Sequence, residues 1–417
     1  MSYTDRREKL FESMEENATL ILYSGNCFPV SADEYTPFEA NRHFFYLTGI
    51  RRENMVLVMT KHAGKRACAL YIEKTDPFTE RWTGKMMTPE EAKAVSGIED
   101  IRYTAAFERD INTLFSALGL KYAYFDLYRN RAADEDSFNI LRAKEFSAKY
   151  PGASLLNLWP LVTRLRTEKD GDEIEKILKA IRCTDEGLNN VLSRLAPGRY
   201  EYQAQADFEY TLHMLGADGT SFATIAGSGK NGTMMHYETN RDLCGDGTLL
   251  LLDLGCKWEG YCSDITRTYP VNGKYTERQR AVYDIVLEAN REVKKAARPG
   301  VTLAELNDVC KKVLAAGCIR LGLIRDESEI GKYYMHSVSH HLGIDVHDVS
   351  FRGEALTPGC VITDEPGLYI DEWETGIRIE DDLLITETGC ECLSEQIIRD
   401  AGEIEKYMKE HKKAEYA

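Results

Sequence analysis

The chain has 417 residues, 43% hydrophobic and 29% charged, with a formal net charge of −16; this is the balance of a folded globular protein too long for one simple core, and two domains are expected. The acidic surplus excludes nucleic acid as a main partner, because phosphate recognition needs a concentrated basic surface, and no apolar run approaches the roughly 20 residues that cross a bilayer, which excludes a membrane-embedded chain. The charged opening Met1 to Lys9 lacks the apolar core of a secretory signal, and the 11 scattered cysteines read as reduced thiols, so a cytoplasmic protein is expected.

Residues 1–162 alternate helical and strand patterns. After an amphipathic start, the apolar runs at 19–23, 55–59, 67–72 and 122–126 read as strands of an N-terminal α/β domain with a mixed sheet. Pro151-Gly152 breaks the following helix, and the domain boundary is set at 162/163, ahead of the charged segment Arg164 to Asp172. Residues 163–417 open with helices expected over 172–195 and 201–215, then a strand through 248–253. Helices over 277–297 and 303–321 precede strands near Val361 and Ile377. Helices then strands, twice over, point to a duplicated domain whose pseudo-twofold halves each combine helices with antiparallel sheet. The charged tail 402–417 reads as a surface helix.

Each half contains an acidic hairpin. Asp253 and Asp264 flank a segment with a turn near Trp258-Glu259, so that folding there opposes the two aspartates; Glu365 and Glu380 repeat this around Glu372-Trp373. Like charges opposed on paired strands, roughly 5 Å apart, are destabilising. Two such hairpins in one domain imply a positive centre between them, and a pair of divalent ions about 3.5 to 4 Å apart would neutralise the four carboxylates. The run from His336 to Asp348 holds His336, His340, His341 and His347, four of the 9 histidines. One imidazole added to carboxylates favours manganese, cobalt, zinc or iron over calcium. A hydroxide shared by two such ions is a nucleophile at neutral pH, so the chemistry implied is hydrolysis. Arg378 shares a strand face with Glu380 and would steady the carboxylates.

Gly227 to Gly232 fits G-x-G-x-x-G, but the strand-like Thr233 to His236 follows it where a phosphate site needs a helix. It reads instead as a turn that leads His236 toward the site. Cys390 and Cys392 have no second pair and are not read as a metal site.

Together these residues resemble the Xaa-Pro aminopeptidases (aminopeptidase P) of the pita-bread metallopeptidases. The matching elements are His236 after the glycine-rich turn, Asp253-Leu254-Gly255, Asp264-Ile265-Thr266-Arg267-Thr268, the run His336 to His347, Glu365-Pro366-Gly367-Leu368-Tyr369 and Arg378-Ile379-Glu380-Asp381. Phe44 to Gly49 is similar to a segment of that family's amino-terminal domain. The resemblance implies that Asp253 chelates one ion, that Asp264 and Glu380 bridge two, and that His340 with Glu365 completes the other; manganese is the expected ion, with cobalt or zinc as alternatives. It implies a bridging water or hydroxide that attacks the carbonyl before proline, in peptides with proline second, while Glu365 handles its proton. His236, His336 and His347 would grip carbonyl oxygens, with Arg378 in support. A homodimer or homotetramer is also implied, to which Trp82 would contribute unless it is a core residue. The alternative activity is that of a prolidase, which cleaves Xaa-Pro dipeptides only. The non-enzymatic alternative is a pita-bread binding protein without catalysis, and the complete ligand set argues against it. The short stretch from His347 to Pro358 leaves the preferred peptide length open.

Overall fold

Alternating apolar residues assemble a six-stranded mixed sheet in the first of two units, residues 1–166, of a computed structural model that describes residues 1–412. Strand order is Asp100–Tyr103, Lys65–Ile72, Val56–His62, Ala18–Tyr23, Tyr122–Phe125, Ser154–Asn157. The three strands between 18 and 72 pair antiparallel and the outer strands join in parallel. Ala63 and Gly64, with φ of 50° and 73°, supply the left-handed turn that joins two of them. The core on one face is built from Ile21, Val58, Tyr71, Phe125 and Phe146. Two strands, Asp100–Tyr103 and Ser154–Asn157, lack the apolar alternation that would have marked them, because both are largely exposed. Phe44 to Thr48 lies in a helix, Arg42–Thr48, started by the Asn41 side chain and stopped by Gly49 at φ 72°.

The second unit begins at Thr167, so the division falls at the end of the helix Trp159–Thr167 and not at 162/163 within it. Its long helices are Gly171–Arg194, Glu201–Leu215, Glu277–Ala296 and Leu303–Arg320, close to the expected spans. Reciprocal side-chain and backbone bonds at Asp170/Glu173, Thr276/Gln279 and Thr302/Glu305 fix three of the starts. The duplication is visible in packing. A Cβ on Gly187 would sit 2.4 Å from the Phe208 ring, and one on Gly317 would sit 2.4 Å from Ile285, so each half crosses its two helices at a glycine. The charged tail folds as the helix Ala401–Glu410, and residues 413–417 lie outside the described residues.

The hairpin registers decide where the acidic side chains go. In the first, Asp253 pairs with Thr266 and Ile265 with Leu254, while Lys257 pairs with Cys262 and Trp258 with Tyr261. The turn therefore falls at Glu259 and Gly260, with φ of 46° and 84°, one residue beyond the expected place. Asp264 is consequently two residues from the position opposite Asp253. A two-residue shift preserves the face of a strand, so both carboxylates still point the same way. In the second hairpin, Gly367 pairs with Arg378 and Asp364 with Asp381, which brackets Glu365 opposite Glu380 as expected.

Candidate metal centre

Asp253 is the next-to-last residue of a buried strand, Leu249–Leu254, and Asp264 immediately precedes its partner, Ile265–Pro270. Glu365 and Glu380 lie between the second half's two short ladders. His340 enters on an irregular segment tied down by its N–H to Thr363 Oγ1 at 3.1 Å, while the Thr363 N–H bonds the His340 carbonyl at 3.0 Å. Asp264, His340 and Glu380 present ligand atoms within 4.8 Å of one another, and His340 Nε2 lies 3.3 Å from Asp264 and 3.5 Å from Glu365. His340 Nδ1 is 3.1 Å from the His341 carbonyl. If that nitrogen carries the ring proton, the Nε2 lone pair faces the carboxylates, as a metal ligand requires.

The electrostatics are those of a site built for cations. Burial, reinforced by the charge of Asp253 and opposed by His340, raises Asp264 to about 6. Burial likewise raises Glu365 to about 7, with Asp264 and Asp253 adding to it against the pull of His340 and Arg378. Glu380 is pushed well above the usual range by burial and by Asp264 and Glu365. Burial disfavours charge on His340, yet its bond to Asp264 and the nearby Glu365 charge bring it up to about 9. Divalent ions would reverse this crowding by taking the place of the protons. Asp253 Oδ1 is buried with no hydrogen-bond partner among the described residues, an acceptor left for such an ion. The donor set, four carboxylates and one imidazole, fits manganese, cobalt, zinc or iron.

Arg378 lies among the carboxylates, buried. Its guanidinium pairs with Asp253, and Nε donates to Thr266 Oγ1 at 3.0 Å. Thr266 in turn donates to Glu380 Oε2 at 2.6 Å, so Arg378 steadies Glu380 through a threonine. Arg378 Nη1 also donates to Tyr369 Oη at 2.8 Å, and Tyr369 Oη lies 2.9 Å from His336 Nε2. With His336 Nδ1 at 2.8 Å from the Ser337 carbonyl, both of its ring nitrogens face protein groups. His336 also lines the cavity, with its ring oriented by these two contacts. His236 and His347 line the cavity with no such bonds among the described residues. Burial, with the charge of His340, lowers His347 to about 4 and keeps it neutral. Thr266 and Tyr369 were given no role from sequence. Tyr369 lies four residues beyond Glu365, and Thr266 comes opposite Asp253 only because the turn falls at Glu259 and Gly260, a register the sequence does not mark.

The remaining candidates sort by environment. His341 is buried, its backbone bridges to Ile362, and burial with the nearby Lys169 charge lowers it to about 4. Residues 234–236 form a turn and not a strand, so His236 reaches the cavity on irregular backbone. Trp82 is 79% exposed, which removes the core reading for it. All 11 cysteines are free thiols, Cys390 and Cys392 among them. The cavity over the carboxylates has a volume of about 790 Å³, and Phe222, Ile225, Met235 and Val346 give it apolar walls.

Comparison with known proteins agrees with this geometry. Residues 175–387, half of the chain, match the model of metallopeptidase family M24, and residues 3–121 match the aminopeptidase P N-terminal domain. The Xaa-Pro aminopeptidase of Escherichia coli is 32% identical over 97% of this chain and 96% of its own. A Bacillus anthracis structure assigned to aminopeptidase P superposes with a TM-score of 0.97 at 40% identity, covering 98% of both chains. Zinc-substituted E. coli aminopeptidase P in complex with product superposes at 0.90 and 31% identity, covering 99% of both. With both domains matched and a pita-bread carboxylate–histidine centre in the second, the chain belongs to metallopeptidase family M24, among its Xaa-Pro aminopeptidases.

Proposed function

We propose that the chain is a dinuclear metal aminopeptidase that hydrolyses the bond between an N-terminal residue and a following proline. The observation that carries this is the convergence of Asp253, Asp264, His340, Glu365 and Glu380 on the floor of one cavity. Two divalent ions held there, manganese by preference, would supply Lewis acidity for the scissile carbonyl and a water acidic enough to ionise near neutral pH. Asp264 and Glu380 would bridge the ions, Asp253 would complete one coordination sphere, and His340 with Glu365 the other. Proline nitrogen leaves as a secondary amine and must be protonated, and the Glu365 carboxyl is placed to hold that proton between steps. His236 and His347 present imidazoles at the cavity wall, able to donate to carbonyl oxygens as charge develops. The apolar walls suit the proline ring and the first residue's side chain.

Peptide substrates are the partners expected, and neither nucleic acid nor membrane is. No helix among the described residues is long and apolar enough to cross a membrane. Free thiols throughout support a cytoplasmic location. Trp82 and Phe78, 79% and 71% exposed on one helix without a buried residue, support an assembly of two or four copies.

The test is a chelator-stripped protein reconstituted with manganese, cobalt or zinc and assayed on Arg-Pro-Pro beside Gly-Pro. Tripeptide turnover with up to two ions per chain is expected. Turnover of the dipeptide alone would make it a prolidase, and full activity in the stripped protein would overturn the metal centre.

A further inference from the structure

Glu201 lies outside the carboxylate cluster, at the start of the helix Glu201–Leu215, and it is fully buried. A buried carboxylate is tolerated when donors saturate it. Four do. Oε1 accepts from the Ser228 N–H at 2.7 Å and from Asn231 Nδ2 at 3.0 Å. Oε2 accepts from Tyr237 Oη at 2.8 Å and from the Asp242 N–H at 2.8 Å. The Glu201 N–H itself donates to the Asp242 carbonyl at 3.0 Å.

All four donors belong to one stretch of chain, Ser228 to Asp242. Two are main-chain amides at its ends, and two are side chains within it. Residues 234–242 form neither helix nor strand, so no ladder holds their shape. Their conformation depends on side-chain anchors instead: Glu201, and Asn240, which donates to the Thr224 carbonyl at 2.7 Å and accepts from the Ala226 N–H at 3.0 Å. His236 is the neighbour of Tyr237 and lines the cavity.

We propose that Glu201 is a positioning residue for catalysis, whose carboxylate gathers the 228–242 segment around itself and thereby fixes the His236 imidazole at the cavity wall. The inference rests on the reading of His236 as a substrate-contacting group. It extends the site to a side chain that touches neither metal ligand nor substrate.

A double-mutant cycle on metal-loaded protein tests it, with Glu201→Ala, His236→Ala and the double variant assayed on Arg-Pro-Pro. Glu201→Ala is expected to lower kcat/KM by roughly 10- to 100-fold, because a catalytic group misplaced by about 1 Å costs that much. In the His236→Ala background the same change is expected to cost less than about threefold, since the group it positions is gone. Glu201→Gln, which keeps the acceptor for Ser228 and Asn231, is expected to recover part of the loss. Metal content by elemental analysis is expected to stay at the wild-type value, because the ligands stand on other elements. Tyr237→Phe removes a single donor and keeps the test open should Glu201→Ala fail to fold; its few-fold loss is expected to vanish beside His236→Ala. Losses that multiply in the double variants would overturn the proposal and leave Glu201 a general structural residue. Wild-type activity in His236→Ala would overturn the reading of His236 itself, and the proposal with it.

Discussion

Arg267 offers the sharpest test of how this centre is supported. It is fully buried, and its guanidinium donates to the carbonyls of Thr266 at 2.9 Å, Glu380 at 2.6 Å, Ile397 at 3.2 Å and Ile398 at 3.0 Å, and to Asp381 at 2.8 Å. Burial alone would raise Asp381, yet Arg267 and Arg399 hold it below its usual range, so the aspartate is charged and depends on them. Arg267→Met keeps the apolar stem and removes every donor. Arg399, 3.2 Å from the other Asp381 oxygen, is then the charged partner left, beside neutral donors from Ser394 Oγ at 2.9 Å and Asn290 Nδ2 at 3.3 Å. Removing one member of a buried pair costs about 3 to 5 kcal/mol, chiefly because the other charge is stranded. At 2 to 4 °C per kcal/mol for a unit of this size, the melting temperature should fall by roughly 6 to 20 °C. Asp381→Asn in the same background should recover part of that loss, since it removes the stranded charge. Glu380 also loses one of the two bonds that fix its backbone, the other being from its N–H to the Thr266 carbonyl at 3.0 Å, so metal affinity should drop by roughly 10- to 100-fold. Calorimetry of the stripped and loaded proteins, with a metal titration, measures both effects. A melting temperature within about 2 °C of wild type would refute the reasoning, because a loss below about 1 kcal/mol is what an exposed pair costs.

Gly376→Ala should be poorly tolerated: its Cβ would stand 1.8 Å from the Gly232 carbonyl oxygen, and overpacking of this kind costs about 1 to 3 kcal/mol or more. Thermal melts and kcat/KM should fall together, because the strand that carries Arg378 meets the turn before His236 there. Tyr369→Phe removes the hydroxyl between Arg378 and His336, with an expected loss of roughly 10-fold in kcat/KM and about 1 to 3 kcal/mol in stability; an unchanged rate would sink that link. The metal-stripped protein should lose stability as pH rises from 6.5 to 9. Glu365 and His340, at about 7 and about 9 when folded, bind protons there that the unfolded chain has released, so their stabilisation fades with rising pH. Bound ions take the place of those protons, so the difference in melting temperature between loaded and stripped protein should widen over this range. A constant or shrinking difference would count against the assignment.

The amino-acid sequence by itself determined the duplicated helix and sheet pattern, the two acidic hairpins and the histidine run, because those features rest on local period, capping and parity. The placement of Asp253 with Asp264 survived a misplaced turn for the same reason, since a two-residue slip leaves every side chain on its own face. Two exposed strands escaped notice because nothing buried marks them. Only the tertiary structure decided that Arg378 reaches Asp253, that Thr266 passes its support to Glu380, and that Tyr369 occupies His336. Glu201 belongs with these, 35 residues before the His236 it organises. Each is a hydrogen bond between segments distant in the chain, the first two across the halves and the others within one, whose donors and acceptors meet only after tertiary packing, and no local spacing encodes which will meet.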